Sequence, residues 1–144
     1  MLADTTKSNL LLVEDSEDDA YFFGRTLQKS GMKCTVHRVA NGAAAIDFLQ
    51  TASSSGVDAL PRMIFLDLKM PVLNGFEVLE WLRSQTFAVP MRVIVLSGSE
   101  HPDDKKRAAQ LGAADYLVKP VKTADFERFL RDICPANPKT GAAV

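Results

Sequence analysis

The sequence predicts an α/β fold, a doubly wound sheet of five parallel strands with helices on both faces. Two observations carry this. Short aliphatic runs alternate with helix-periodic segments from near one end of the chain to the other. The runs are continuously apolar and several stop abruptly at polar or acidic residues, as strands covered on both faces do.

Leu10 to Val13 is the first such run and ends at Glu14-Asp15. Residues 17–30 read as a helix with Ala20, Phe23, Gly24 and Leu27 on one face. Ser16 is its N-cap, Asp19 sits at the capping-box position and Gly31 supplies the stop. Thr35 to Val39 is the second strand, and Ala43 to Leu49 a helix with Ile46 and Leu49 inward. Thr51 to Pro61, with three consecutive serines and Gly56, reads as a surface loop.

Met63 to Leu66 is the third strand and runs into Asp67. Pro71 and Asn74-Gly75 mark a turn, after which residues 76–84 form a helix burying Val78, Leu79 and Leu82. Arg92 to Leu96 is the fourth strand, and Pro102 to Leu111 a helix closed by Gly112. Asp115 to Val118 is a brief fifth strand. Phe126, Phe129, Leu130 and Ile133 recur at i, i+3, i+4 and i+7, the pattern of an amphipathic last helix. The expected organisation is one domain over residues 9–134, between a flexible N-terminus (1–8) and a flexible tail (135–144).

Composition excludes several classes. The 144 residues suffice for one well-packed core. With 17 basic against 18 acidic residues the net charge is -1, which offers no footprint for nucleic acid or an anionic membrane. No stretch is long enough to span a bilayer, and the first residues lack the order of a signal peptide, so the cytoplasm is the expected compartment. Cys34 and Cys134 lie far apart in sequence, which favours two reduced, partly buried thiols over a disulfide.

In doubly wound sheets, groups at the carboxyl ends of strands converge on a crevice where the strand order reverses. Four of these ends are chemically pointed: Glu14-Asp15, Asp67, Ser97 and Lys119. If the first, third and fourth strands are neighbours, three carboxylates share one small site and need a cation to neutralise them. All-oxygen ligation suits Mg²⁺. Asp67, projecting alone from a strand, is the candidate nucleophile, since carboxylates can form an aspartyl-phosphate. Phosphoryl transfer is chiefly positioning and charge stabilisation, roles open to Lys119 and the Ser97 hydroxyl.

Four segments, in order, resemble the motifs of the response-regulator receiver family of two-component systems: Leu11-Leu12-Val13-Glu14-Asp15-Ser16, Phe65 to Gly75, Val95-Leu96-Ser97-Gly98, and Ala113 to Pro120. The likeness runs over roughly residues 9–133 and is specific because all four segments occur together. It implies a flavodoxin-like (βα)5 fold with strand order 2-1-3-4-5, and Asp67 as phosphoacceptor. It implies that Asp15 binds Mg²⁺ (or Mn²⁺) directly, Glu14 through water, and Lys69 through its backbone carbonyl. Ser97 would be the switch hydroxyl, Tyr116 the rotamer-switching aromatic and Lys119 the phosphate-binding cation. Lys119-Pro120 would be a cis peptide.

The long segment 51–62, with no output domain expected, resembles single-domain regulators of the phytochrome-associated type. The resemblance implies a partner histidine kinase, which could be phytochrome-like, and a downstream protein or phosphotransfer partner reached through the face of the fourth helix, fifth strand and fifth helix. It allows a homodimer and implies no enzyme activity beyond self-phosphorylation from the donor and slow self-dephosphorylation. Lys69 departs from the Asn often found two places after the nucleophile and leaves the lifetime of the phosphorylated state open. It also disfavours a phosphatase of the haloacid-dehalogenase type, which needs an Asp there. A pseudo-receiver that binds without phosphate is disfavoured by the complete Asp, Ser and Lys set.

Other residues read as structural. Asp18 and Asp19 suit a helix N-terminus, although they add negative potential near the site. Lys105-Lys106-Arg107 is a solvated helix face, Trp81 packs under a loop, and His37 and His101 take core or surface roles.

Overall fold

The computed structural model describes residues 9–56, 59–87 and 91–133. Ten elements alternate: β1 (Asn9–Val13), α1 (Glu17–Ser30), β2 (Thr35–Val39), α2 (Gly42–Ser55), β3 (Met63–Asp67), α3 (Gly75–Arg83), β4 (Arg92–Ser97), α4 (Pro102–Gln110), β5 (Asp115–Val118) and α5 (Thr123–Leu130). All strand pairs are parallel, and the order is β2-β1-β3-β4-β5, as expected.

Strand periodicity divides the interior in two. Leu11, Val13, Ile64, Leu66, Val93 and Val95 project to one face and pack with Ala45 and Leu49 of α2, Val78 and Leu79 of α3 and Ala108 of α4. Their neighbours Leu10, Leu12, Met63, Phe65, Ile94 and Leu96 project to the other, against Phe23 and Leu27 of α1 and Phe126, Phe129 and Leu130 of α5. Phe23, Phe65 and Phe126 meet edge to face, with centroids 5.1, 4.9 and 5.9 Å apart. β3, covered on both sides, is buried at every residue, whereas the edge strand β2 has none buried.

Most boundaries agree with the sequence reading; α2 and α5 do not. α5 stops at Leu130, so Ile133, expected on its apolar face, lies in the turn after it and still packs against the same core cluster. α2 continues to Ser55 because Ala52 extends the buried stripe of Ala45 and Leu49. The serines do not break it: Ser54 and Ser55 donate their hydroxyls back to the carbonyls of Gln50 and Thr51. The segment expected as a loop is therefore helical at its start. Gly24, expected on the inward face of α1, is exposed; Thr26 and Ser30 are buried instead, so the inward stripe is rotated toward them.

Cys34 is also a correction. It is disulfide-bonded rather than a free thiol. Cys34 borders the core cluster under α1 and α5. Cys134 and the expected flexible ends lie outside the described residues. Among the described residues, no helix is long and apolar enough to cross a membrane.

Candidate functional site

Register brings the strand ends together. Val13 is level with Leu66, Asp67 with Leu96, and Ser97 with Val118. The residues that follow β1 and β5, Glu14 and Lys119, therefore emerge on either side of Asp67. Backbone bonds hold these exits: Glu14 N–H donates to Val39 (3.0 Å), Leu68 N–H to Leu96 (3.3 Å) and Lys119 N–H to Ser97 (2.8 Å). Arg38 reaches across from β2 and donates twice to the Glu14 carbonyl, at 3.0 and 2.8 Å. The sequence offered no signal for that brace.

Two glycines let the surrounding chain close in. A Cβ on Gly75 would lie 2.5 Å from the Asp67 carbonyl oxygen and 2.8 Å from the Leu68 Cα, so only glycine lets α3 begin against the end of β3. Asn74 caps that helix and completes a reciprocal capping box with Glu77. A Cβ on Gly42 would lie 2.5 Å from the Leu73 carbonyl oxygen, so α2 starts against the same loop. Val72, at the loop's outer turn, has φ 70° and is almost fully exposed. That φ is costly for a β-branched residue.

Glu14, Asp15 and Asp67 each place a carboxylate oxygen within 4.8 Å of the others. Glu14 and Asp67 are buried, while Asp15 stands exposed at the rim. Burial, followed by the charge of Glu14, pushes the Asp67 carboxyl up to about 7, against the opposing pull of Lys119 and of the Lys69 backbone N–H. That N–H lies 3.4 Å from Asp67 Oδ1. Negative charge is thus under-compensated, and the donors are all hard oxygens. Both facts fit a divalent cation of the Mg²⁺ or Mn²⁺ kind held by these three carboxylates.

Lys119 Nζ lies 2.8 Å from Glu14 Oε1, 2.9 Å from Asp19 Oδ2 and 3.6 Å from Asp67 Oδ1. Burial opposes its charge, but hydrogen bonds to Glu14 and Asp19 and the attraction of Asp67 outweigh this and push its pKa above the ordinary lysine value. The sequence suggests for Asp19 a helix N-terminal role with some negative potential near the site, not a direct partner of Lys119. Its placement in α1 and its acidic type were visible in sequence; its pairing across the fold was not.

The fully buried Ser97 Oγ accepts from the Ser99 N–H at 3.0 Å. Tyr116, half-buried on β5, donates its hydroxyl to the Ser99 carbonyl at 2.9 Å. The Lys119–Pro120 peptide is cis. Beside Lys119 lies a cavity of about 510 Å³ between the start of α1 and the β5–α5 loop, with Phe22, Phe23, Leu96, Pro120 and Val121 among its walls.

His101, His37 and Trp81, read as structural, take packing and capping roles. The His101 ring accepts from the Asp103 N–H and caps α4. The His37 ring lies against Phe48, and Trp81 packs edge-on to Phe87.

Residues 10–131 match the family described as response regulator receiver domain. The probable methanogenesis regulatory protein FilR2 of Methanothrix harundinacea is 33% identical over 124 residues, covering 86% of this chain and 79% of FilR2. The two-component response regulator ORR1 of Oryza sativa subsp. japonica is 32% identical over 132 residues and longer: the match covers 90% of this chain and 56% of ORR1. The Mn²⁺-bound response regulator Rcp1 superposes with a TM-score of 0.74 at 27% identity, over 90% of this chain and 98% of Rcp1. The bacteriophytochrome response regulator RtBRR superposes at 0.73 with 34% identity, over 88% of this chain and 77% of RtBRR.

Proposed function

Because the chain belongs to the response regulator receiver domain family, we propose that it is a signalling switch in which Asp67 accepts a phosphoryl group from a partner histidine kinase. The observation that carries this is the buried Asp67 carboxylate, flanked by Glu14 and Asp15 and faced by the Lys119 ammonium at 3.6 Å. A carboxylate oxygen of Asp67 attacks phosphorus as the P–N bond of the donor phosphohistidine breaks. The imidazole nitrogen keeps the bonding pair and takes a proton from solvent. Reset is hydrolysis: water attacks phosphorus, inorganic phosphate leaves and the carboxylate is restored.

Lys119 donates to a phosphoryl oxygen, and the Ser97 hydroxyl turns from the Ser99 N–H to donate to another. Movement of Ser97 and Ser99 alters the support of the Tyr116 hydroxyl, so the ring reorients and the α4-β5-α5 face changes its binding. Glu14, Asp15, Asp67 and the Lys69 backbone carbonyl would hold the metal. Bound there, Mg²⁺ or Mn²⁺ supplies positive charge that offsets the carboxylates and phosphoryl oxygens. The likeness to RtBRR supports a phytochrome-type kinase as donor, with a downstream protein or phosphotransfer partner as receiver.

Beryllium fluoride with Mg²⁺ tests the reading. Amide signals of Ser97, Ser99 and Tyr116 should move in the wild type and stay still in Asp67→Asn. An unmoved wild-type spectrum refutes it.

A further inference from the structure

Lys119 is already engaged before any phosphoryl group arrives. An ammonium has three donors, and two of them are taken at 2.8 and 2.9 Å by Glu14 and Asp19; the contact to Asp67 is the long one at 3.6 Å. The two short partners differ. Glu14 is buried among the carboxylates, and its Oε2 is also bound by the Ser16 N–H at 3.1 Å. Asp19 stands half exposed on α1, and its backbone is fixed because its N–H donates to Ser16 Oγ at 3.2 Å.

We propose that Asp19 is a positioning residue that parks the Lys119 ammonium away from Asp67 in the unphosphorylated state and competes with the phosphoryl oxygens for it. This deepens the proposed function and rests on it. The parked contact must loosen for Lys119 to reach a phosphoryl oxygen, so Asp19 biases the site toward the unphosphorylated form. One partner of the pair is half solvated, which limits the bias to roughly two- to fivefold in the equilibrium.

Asp18 supplies the control. It precedes Asp19 on the same helix turn and carries the same charge, yet has no ion pair with Lys119. If Asp19 acts only by spreading negative potential, Asp18→Ala will imitate Asp19→Ala. If it acts by contact, Asp18→Ala will not.

The full chain is titrated with beryllium fluoride and Mg²⁺, and the Lys119 ammonium is followed separately by ¹⁵N NMR in EDTA. Asp19→Ala should bind beryllium fluoride roughly two- to fivefold more tightly than wild type. Its metal-free Lys119 signal should shift or broaden. Asp18→Ala should match wild type in both, and Asp19→Glu should recover part of the wild-type behaviour. Equal effects of the two alanine variants, or an unchanged Lys119 signal in Asp19→Ala, overturn the parking role alone. Failure of wild type to bind beryllium fluoride overturns the phosphoacceptor reading and the parking role with it.

Discussion

Asp67 should weaken the fold that holds it, so Asp67→Asn should make the metal-free protein more stable. The Asp67 carboxyl is pushed from 3.8 up to about 7 by burial and by Glu14. At about 1.4 kcal/mol for each unit, holding it ionised in the native state costs up to roughly 4 kcal/mol. The sign follows from proton linkage. The native pKa lies above the unfolded one, so between pH 3.8 and about 7 the native state binds more protons. Stability is therefore lost as pH rises through that window, and the penalty is complete above about pH 8.

Asparagine keeps the shape and carries no charge, so the variant should gain about 2–4 kcal/mol at pH 8 in EDTA. The gain should shrink as pH falls through that window and approach zero only below about pH 3, where Asp67 is protonated in both states. Urea unfolding followed by circular dichroism at pH 5 and pH 8 measures it. Saturating Mg²⁺ should stabilise wild type more than the variant. If Asp67→Asn is no more stable than wild type at pH 8 without metal, the account of an under-compensated carboxylate cluster is wrong.

Two further predictions concern the scaffold. Gly75→Ala places a methyl group 2.5 Å from the Asp67 carbonyl oxygen and must push the β3–α3 loop aside, costing about 1–3 kcal/mol by urea unfolding and weakening beryllium fluoride binding as well. Phe126→Ala removes one fully buried ring of the aromatic triad under α1 and α5, and should cost about 3–5 kcal/mol while leaving the Mg²⁺ affinity of the surviving folded protein near wild type.

The elements that place the site were legible because their signals are local. Leu10 to Val13 and Met63 to Leu66 are continuous apolar runs ending at acids, and a buried strand needs nothing else to declare itself. The sheet order, by contrast, came from family resemblance; the runs alone do not dictate which strands adjoin. Whatever depended on distant partners was hidden. Asp19 and Lys119 are 100 positions apart, and only the packing of α1 beside the β5–α5 loop makes their contact visible. Ser53-Ser54-Ser55 looked like loop chemistry because the sequence does not reveal that the last two hydroxyls turn back onto helix carbonyls.

Ser99 is grasped twice through its main chain, by Ser97 at its N–H and by Tyr116 at its carbonyl. The coupling between the two side chains is thus written in peptide atoms common to nearly every amino acid. Residue 99 can vary widely in side chain and still carry it, since neither grip depends on the Ser99 hydroxyl. Proline is the exception, because it alone has no N–H for Ser97 to hold. The relay is protected from most point changes by using main-chain atoms that every substitution but proline leaves in place.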